Sequence, residues 1–204
     1  MATLSLSRDD TVVRLPSGAP GSGTTLHAAL RARRSTRNFL PDPLSLKEVS
    51  QLLWAAFGVN RPGSWGRTAP SAYNWQEIAI YAVLPQGTWR YAAGAHSLEC
   101  VSSEDLRAAT GTQDFVATAP LNLVYVADVD RMSQAREEEQ GFLAGADAGC
   151  IVENVYLYCA AHGLGTVVRG LIDRQRLAQA LGLKPTQRVV LAQTVGRCAP
   201  DTRH

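Results

Sequence analysis

No pair of cysteines in this chain is spaced to hold a metal or to run a dithiol cycle. The four present, Cys100, Cys150, Cys159 and Cys198, contain no CxxC and match no zinc pattern. His27, His96, His162 and His204 add no HExxH or other ligand spacing, so no metal is expected. A Walker loop is missing, and so is a GxGxxG after a strand, which excludes P-loop and Rossmann nucleotide binding. Without a GxSxG elbow there is no sign of an esterase nucleophile. No apolar run approaches the ~18 residues that span a bilayer. The opening MATLSLSRDDTVVRLP has no charged start followed by an apolar core, so no signal peptide is read and a cytoplasmic location is expected. A formal net charge of +2 gives no overall pull toward nucleic acid or an anionic membrane.

What remains is the composition of an ordinary globular chain of 204 residues. Residues 1–24, with Gly18, Pro20, Gly21 and Gly23, read as an arm, and residues 25–204 as one domain. Thr25 caps a helix over residues 26–33, where Leu26 and Leu30 share a face. Ser45-Leu46-Lys47-Glu48 is a capping box with a Leu44/Val49 staple, and Gly58 is expected to end that helix in the left-handed region. Residues 60–76 read as a long loop, a frequent seat of function. Strands are expected over residues 78–84, 89–92, 97–101, 121–127, 166–169 and 188–195. The 121–127 run is apolar throughout, so both its faces should be buried. Ser103-Glu104-Asp105 is expected to open a short helix, and Asp173 to cap another. The stretch 141–162 is helical and apolar nearly all round, as a core or interface helix is. Cys150 and Cys159 on it are expected to be buried free thiols, and Asp147 and Glu153 to make structural hydrogen bonds. His162 reads as a C-cap and Glu137-Glu138-Glu139 as a solvated face. Mixed helices and hairpin-like strands give an α+β class, with a mostly antiparallel sheet flanked by helices.

Three stretches carry candidate chemistry. Arg33-Arg34-Ser35-Thr36-Arg37 concentrates planar anion donors suited to phosphate. It equally suits a solvated basic helix end favoured by the helix dipole. Nucleic-acid binding lacks the interleaved aromatics or second basic block that would support it. Pro70-Ser71-Ala72-Tyr73-Asn74-Trp75-Gln76 offers amides that read the edge of a heteroaromatic ring, or else a polar turn. Gly163–Gly170 offers glycines around a short strand, where a flat ligand can lie against the backbone, or else a helix stop and core strand.

Taken in order, RRSTRNF (33–39), LSLKEVSQLLWAAFGVN (44–60), RTAPSAYNWQEI (67–78), ADAGCIVENVYLYCAAHGLGTVVRG (146–170) and QTVGR (193–197) resemble the nitroreductase superfamily that uses flavin mononucleotide (FMN). The short branch with the SagB-type, thiazole/oxazole-forming dehydrogenases is the most similar. The resemblance implies a nitroreductase-like fold and a homodimer with the long helix at its interface. It implies FMN, reduced by NAD(P)H in a ping-pong cycle and reoxidised by a nitroaromatic, quinone or similar small acceptor. Arg33 would bind the phosphate, Arg34 and Ser35 the phosphate or ribityl chain, and Arg37, the catalytic candidate, the pyrimidine N1/O2 edge. Pro70, Ser71, Ala72, Asn74 and Gln76 would contact the ring, from the partner subunit. Val167, Val168 and Gly170, with Arg169 beside them, would line its other face. Arg197 would add a second phosphate contact. Tyr73 stands where glycine is common in that branch, and Glu153-Asn154 where Gln-Asn is common. The extended N-terminal region of azoline dehydrogenases is also missing. These departures count against oxidation of a peptide azoline and leave the substrate open, with dehydrogenation of a peptide or metabolite and a non-catalytic flavin module as the alternatives. A nucleic-acid or membrane partner is not expected.

Overall fold

A computed structural model describes residues 6–7, 9–17 and 24–199. The glycine- and proline-rich turn expected at residues 18–23 lies outside the described residues.

Nine strands and four α-helices are described: β1 (Val12–Arg14), α1 (Leu26–Ala32), α2 (Leu46–Phe57), β2 (Val59–Arg61), β3 (Gly66–Arg67), β4 (Ile78–Leu84), β5 (Gly87–Ala92), β6 (Ser97–Ser102), β7 (Leu121–Asp128), α3 (Glu137–Ala161), β8 (Gly165–Arg169), α4 (Arg174–Ala180) and β9 (Gln187–Gly196). Seven strands form one sheet in the order β1-β6-β5-β4-β7-β9-β8. Every neighbouring pair in it is antiparallel. The α+β expectation with an antiparallel sheet holds.

Alternation along the central strands explains why the sheet is covered on both faces. Ile80, Ala82 and Leu84 of β4, with Leu121, Leu123 and Tyr125 of β7, pack with the buried residues of α2 and α3. Their neighbours Tyr81, Val83, Val124 and Val126 pack with Leu177 and Leu181 around α4. Successive side chains of a strand point to opposite faces, so a strand covered twice must be apolar throughout. Each fully buried large aliphatic here contributes roughly 1.5–3 kcal/mol.

The Ser45 capping box forms as expected: Ser45 Oγ accepts from Glu48 N–H, and Glu48 returns a bond to the Ser45 amide. Gly58 departs from expectation. It is extended, with φ −70 and ψ 164, because the chain leaves α2 directly into the β2–β3 hairpin. That hairpin and two short 3-10 turns occupy the stretch read as loop. No helix opens at Ser103. A single 3-10 turn follows at Arg107–Thr110.

The long helix begins at Glu137, earlier than expected, with three glutamates in its first turn. Acidic side chains there complement the partial positive charge of a helix N-terminus. His162 caps the other end, its Nδ1 lying 2.8 Å from the Tyr158 carbonyl oxygen. Cys159 is buried as expected, and burial pushes its thiol well up. Cys150 is exposed instead. It falls on the helix face turned away from the sheet, with Ala146, Glu153 and the 78 % exposed Phe142. Glu153 on that face makes no hydrogen bond to a described residue, whereas Asp147 does, to the Ala72 amide. No described helix is long and apolar enough to cross a membrane.

Candidate active site

Residues 33–40 leave α1 as an extended segment stitched to the sheet edge. Ser35 bridges Thr166 of β8 in parallel fashion, and Thr36 N–H donates to the Thr166 carbonyl at 2.9 Å. Leu40 N–H donates to the Arg197 carbonyl, also at 2.9 Å. Gly165 makes this approach possible. A Cβ there would stand 2.6 Å from Cys198 Sγ and 3.2 Å from the Thr36 methyl.

Tyr156 of α3 is the strut that the sequence did not reveal. Its hydroxyl lies 2.8 Å from Ser35 Oγ and accepts from the Val168 amide at 3.0 Å. The Arg33 guanidinium sits 5.4 Å from the centre of its ring. A tyrosine on the buried face of an apolar helix needs a polar partner for its hydroxyl. That need was legible, but the partner's identity was not.

Arg33, Arg34 and Arg37 form no ion pair with any described residue. Arg34 and Arg37 are exposed and Arg33 is half-buried. Three cations on five residues repel one another, so an anion held among them relieves that repulsion and gains charge-assisted bonds. Beside them a cavity of about 330 Å³ is lined by Arg34, Thr36, Tyr156, Thr166 and Cys198, among others. This donor set fits a phosphate monoester carrying a polar tail.

Residues 70–76 form the second group. Tyr73, Asn74 and Gln76 have φ of 49, 55 and 51. Non-glycine residues pay steric strain in the left-handed region, and asparagine tolerates it best. Three in four residues mark a backbone held in place by its surroundings. Gln76 supplies much of the hold. Its Oε1 accepts from Arg67, and its Nε2 donates to the Trp65 carbonyl and to Asn74 Oδ1. The amide of Gln76 is therefore occupied in shaping the loop. The Asn74 Nδ2 group makes no bond to a described residue, and Tyr73 stacks on Trp75 with ring centres 4.8 Å apart.

The third group divides. Val168 is half-buried and Gly170 exposed, while Val167 is 2 % exposed. Arg169 turns its guanidinium into the protein, donating to the Thr110 carbonyl and to Asn122 Oδ1. Burial lowers its pKa to about 10. Arg197 is likewise engaged: its Nη2 pairs with Glu48 Oε1 at 2.9 Å. Within one chain the structure thus brings residues 33–37 and 165–170 together. The 70–76 loop is fastened to α3 at Asp147, nine residues before Tyr156, or about 13 Å along the helix axis.

The profile of the nitroreductase family matches residues 30–197. The chain belongs to the nitroreductase family. A nitroreductase-like protein of Methanocaldococcus jannaschii is 30% identical over 182 residues, covering 84% of this chain and 90% of its own. The crystal structure of a nitroreductase-like protein from Ralstonia eutropha is 45% identical with a TM-score of 0.91, covering 97% of this chain and 93% of that one. An NADPH:FMN oxidoreductase from Vibrio harveyi, solved with NAD+, shares the fold at 20% identity and a TM-score of 0.65, covering 88% of this chain and 72% of that one. Membership places the chain among the flavin-using oxidoreductases.

Proposed function

We propose that this nitroreductase-family chain is an FMN-dependent NAD(P)H oxidoreductase, working as a homodimer on a small organic acceptor such as a nitroaromatic or quinone. The observation that carries the reading is the set of three guanidiniums without an ion pair among the described residues, on Arg33, Arg34 and Arg37, in a segment bridged to β8 beside a cavity that Arg34 lines. The description of the Vibrio harveyi relative as an NADPH:FMN oxidoreductase supports the choice of flavin and donor.

FMN, when bound, would supply the hydride chemistry between a nicotinamide donor and the acceptor. The residues of the chain hold and tune it. Arg33 binds the phosphate, and Arg34 and Ser35 the phosphate or ribityl chain. Arg37 would set a cation near the pyrimidine edge, favouring the negative charge of the reduced ring. Val168, Gly170 and the backbones of Val167 and Arg169 line one face of the ring. Pro70, Ser71, Ala72 and Asn74 of the second subunit contact it from the other, with Gln76 holding that loop in shape. The axial offset between the two groups along α3 favours a site completed by two chains. Arg197, matched by Glu48, is left to the packing of α2.

The test is direct. Added FMN should raise the melting temperature by mass action and lose its fluorescence on binding. NADH or NADPH should then bleach the bound flavin without oxygen, and a quinone or nitroaromatic should restore it. Protein that neither binds FMN nor is stabilised by it refutes the proposal. Bound flavin that neither nucleotide bleaches refutes its enzymatic half.

A further inference from the structure

Glu77 lies between the strained 70–76 loop and the first residue of β4. Its carbonyl accepts from the Asp128 amide at 3.0 Å. Glu77 is 1% exposed, and neither carboxyl oxygen has a hydrogen-bond donor elsewhere among the described residues. A buried carboxylate without a donor is expensive enough that the group neutralises instead. Asp147 of α3 is also buried and lies next to it. One Asp147 oxygen accepts the Ala72 amide proton at 2.8 Å. That contact ties the strained loop to α3.

We propose that Glu77 and Asp147 share one proton, and that this carboxyl pair is the clamp that holds the 70–76 loop in its working shape. Glu77 carries the proton and donates it to one Asp147 oxygen, while the other Asp147 oxygen receives the Ala72 N–H. A single proton then satisfies two buried acceptors that otherwise repel. When it is lost to solvent, two anions face each other and the clamp on Ala72 loosens. Glu77 is a positioning residue, acting on the loop through Asp147.

The surroundings set the pH at which this happens. Burial, then the charge of Asp147, push the Glu77 carboxyl up to about 7. A hydrogen bond from the Glu77 backbone opposes them, and so, more weakly, does Arg131, held nearby by donating from Nη1 to the Gln76 carbonyl. Arg67 from β3, Tyr91 from β5 and Asp128 from β7 line the adjoining cavity of about 270 Å³, the route for the proton to water. The folded pKa is raised above the ordinary carboxyl value near 4.5. The folded state therefore binds more protons between these values, and stability falls as pH rises from about 4.5 to about 7, then levels off. The effect on a ligand rests on the flavin reading, but the titration of the pair does not.

The experiment uses the full chain. The Glu77 carboxyl carbon is followed by NMR against pH, and hydrogen exchange of the 70–76 peptide is followed by mass spectrometry, corrected for intrinsic rates. A Glu77 midpoint near 7 is expected, with loop protection falling about tenfold between about pH 6 and about pH 8, the scale of one pKa unit. Glu77→Gln mimics the protonated form, so its loop protection should be flat with pH. Asp147→Asn keeps an acceptor for Ala72 but removes the charge, so the Glu77 midpoint should move down. A midpoint near 4.5 in the unmodified protein, or loop protection as flat as that of Glu77→Gln, overturns the proposal. FMN titrations at the same two pH values separate the claims. Failure to bind FMN at either pH, with Glu77 still titrating near 7, sinks the flavin reading alone. FMN binding with Glu77 titrating near 4.5 sinks the clamp alone.

Discussion

Two arginines 132 residues apart, Arg37 and Arg169, show how one side-chain type takes opposite duties. Arg37 is exposed and without an ion pair among the described residues, which suits a cation awaiting a ligand. Arg37→Ala should weaken FMN binding about tenfold or less and slow anaerobic flavin reduction more, since a charge aimed at the reacting edge acts chiefly on the transition state. An unchanged reduction rate at full FMN occupancy would remove Arg37 from the mechanism. Arg169 is 4% exposed and satisfies Thr110 and Asn122. Arg169→Leu leaves the Thr110 carbonyl without this donor, while Asn122 Oδ1 keeps its bond from Thr194 Oγ1, so urea unfolding should show a loss of roughly 1–3 kcal/mol, the cost of one unsatisfied group. From sequence both looked like site residues. Only the location of Thr110 and Asn122, 59 and 47 residues away, assigns Arg169 to packing. Glu77 was illegible for a similar reason: a charged residue before a strand reads as solvated until Asp147 is brought beside it.

At the scale of elements, α2 was read almost completely, because its signals are local. Ser45 and Glu48 are three residues apart, and the capping bonds they make need no other part of the chain. The reach of Glu48 to Arg197, across 149 residues, was not readable. Burial pushes the Glu48 carboxyl up, but bonds from Ser45 and Arg197 outweigh it and hold the pKa below its ordinary value. A depressed folded pKa contributes stability that is present above the unfolded value and lost as pH falls through the folded one. Glu48→Gln should therefore flatten the acid limb of a stability–pH curve, and Ser45→Ala should cost about 1 kcal/mol at neutral pH. An acid limb in Glu48→Gln as steep as that of the unmodified protein would show that the pair does not contribute. The β2–β3 hairpin escaped notice because strands of three and two residues carry no period to count. The early start of α3 was masked by its three glutamates, which polarity assigns to solvent and the helix dipole assigns to a first turn.

For the whole molecule, the exposed stripe of α3, with Phe142, Ala146, Cys150 and Glu153, is the face the proposed dimer must cover. Phe142→Asp puts a charge into that contact. Sedimentation should show a shift toward monomer, and FMN affinity should fall together with it, because the proposed site takes a loop from the second chain. Monomers that bind FMN as tightly as the unmodified protein would contradict the two-chain site.

The same helix also works as a measuring rod. Asp147 fixes one part of the site to it and Tyr156 the other. Adding one residue between them would rotate everything beyond by about 100° and slide it by about 1.5 Å. A change that a surface loop absorbs without trace would here point the arginine segment away from where its ligand lies. The spacing between Asp147 and Tyr156 is thus what this stretch of α3 must keep, as much as the identity of its buried side chains.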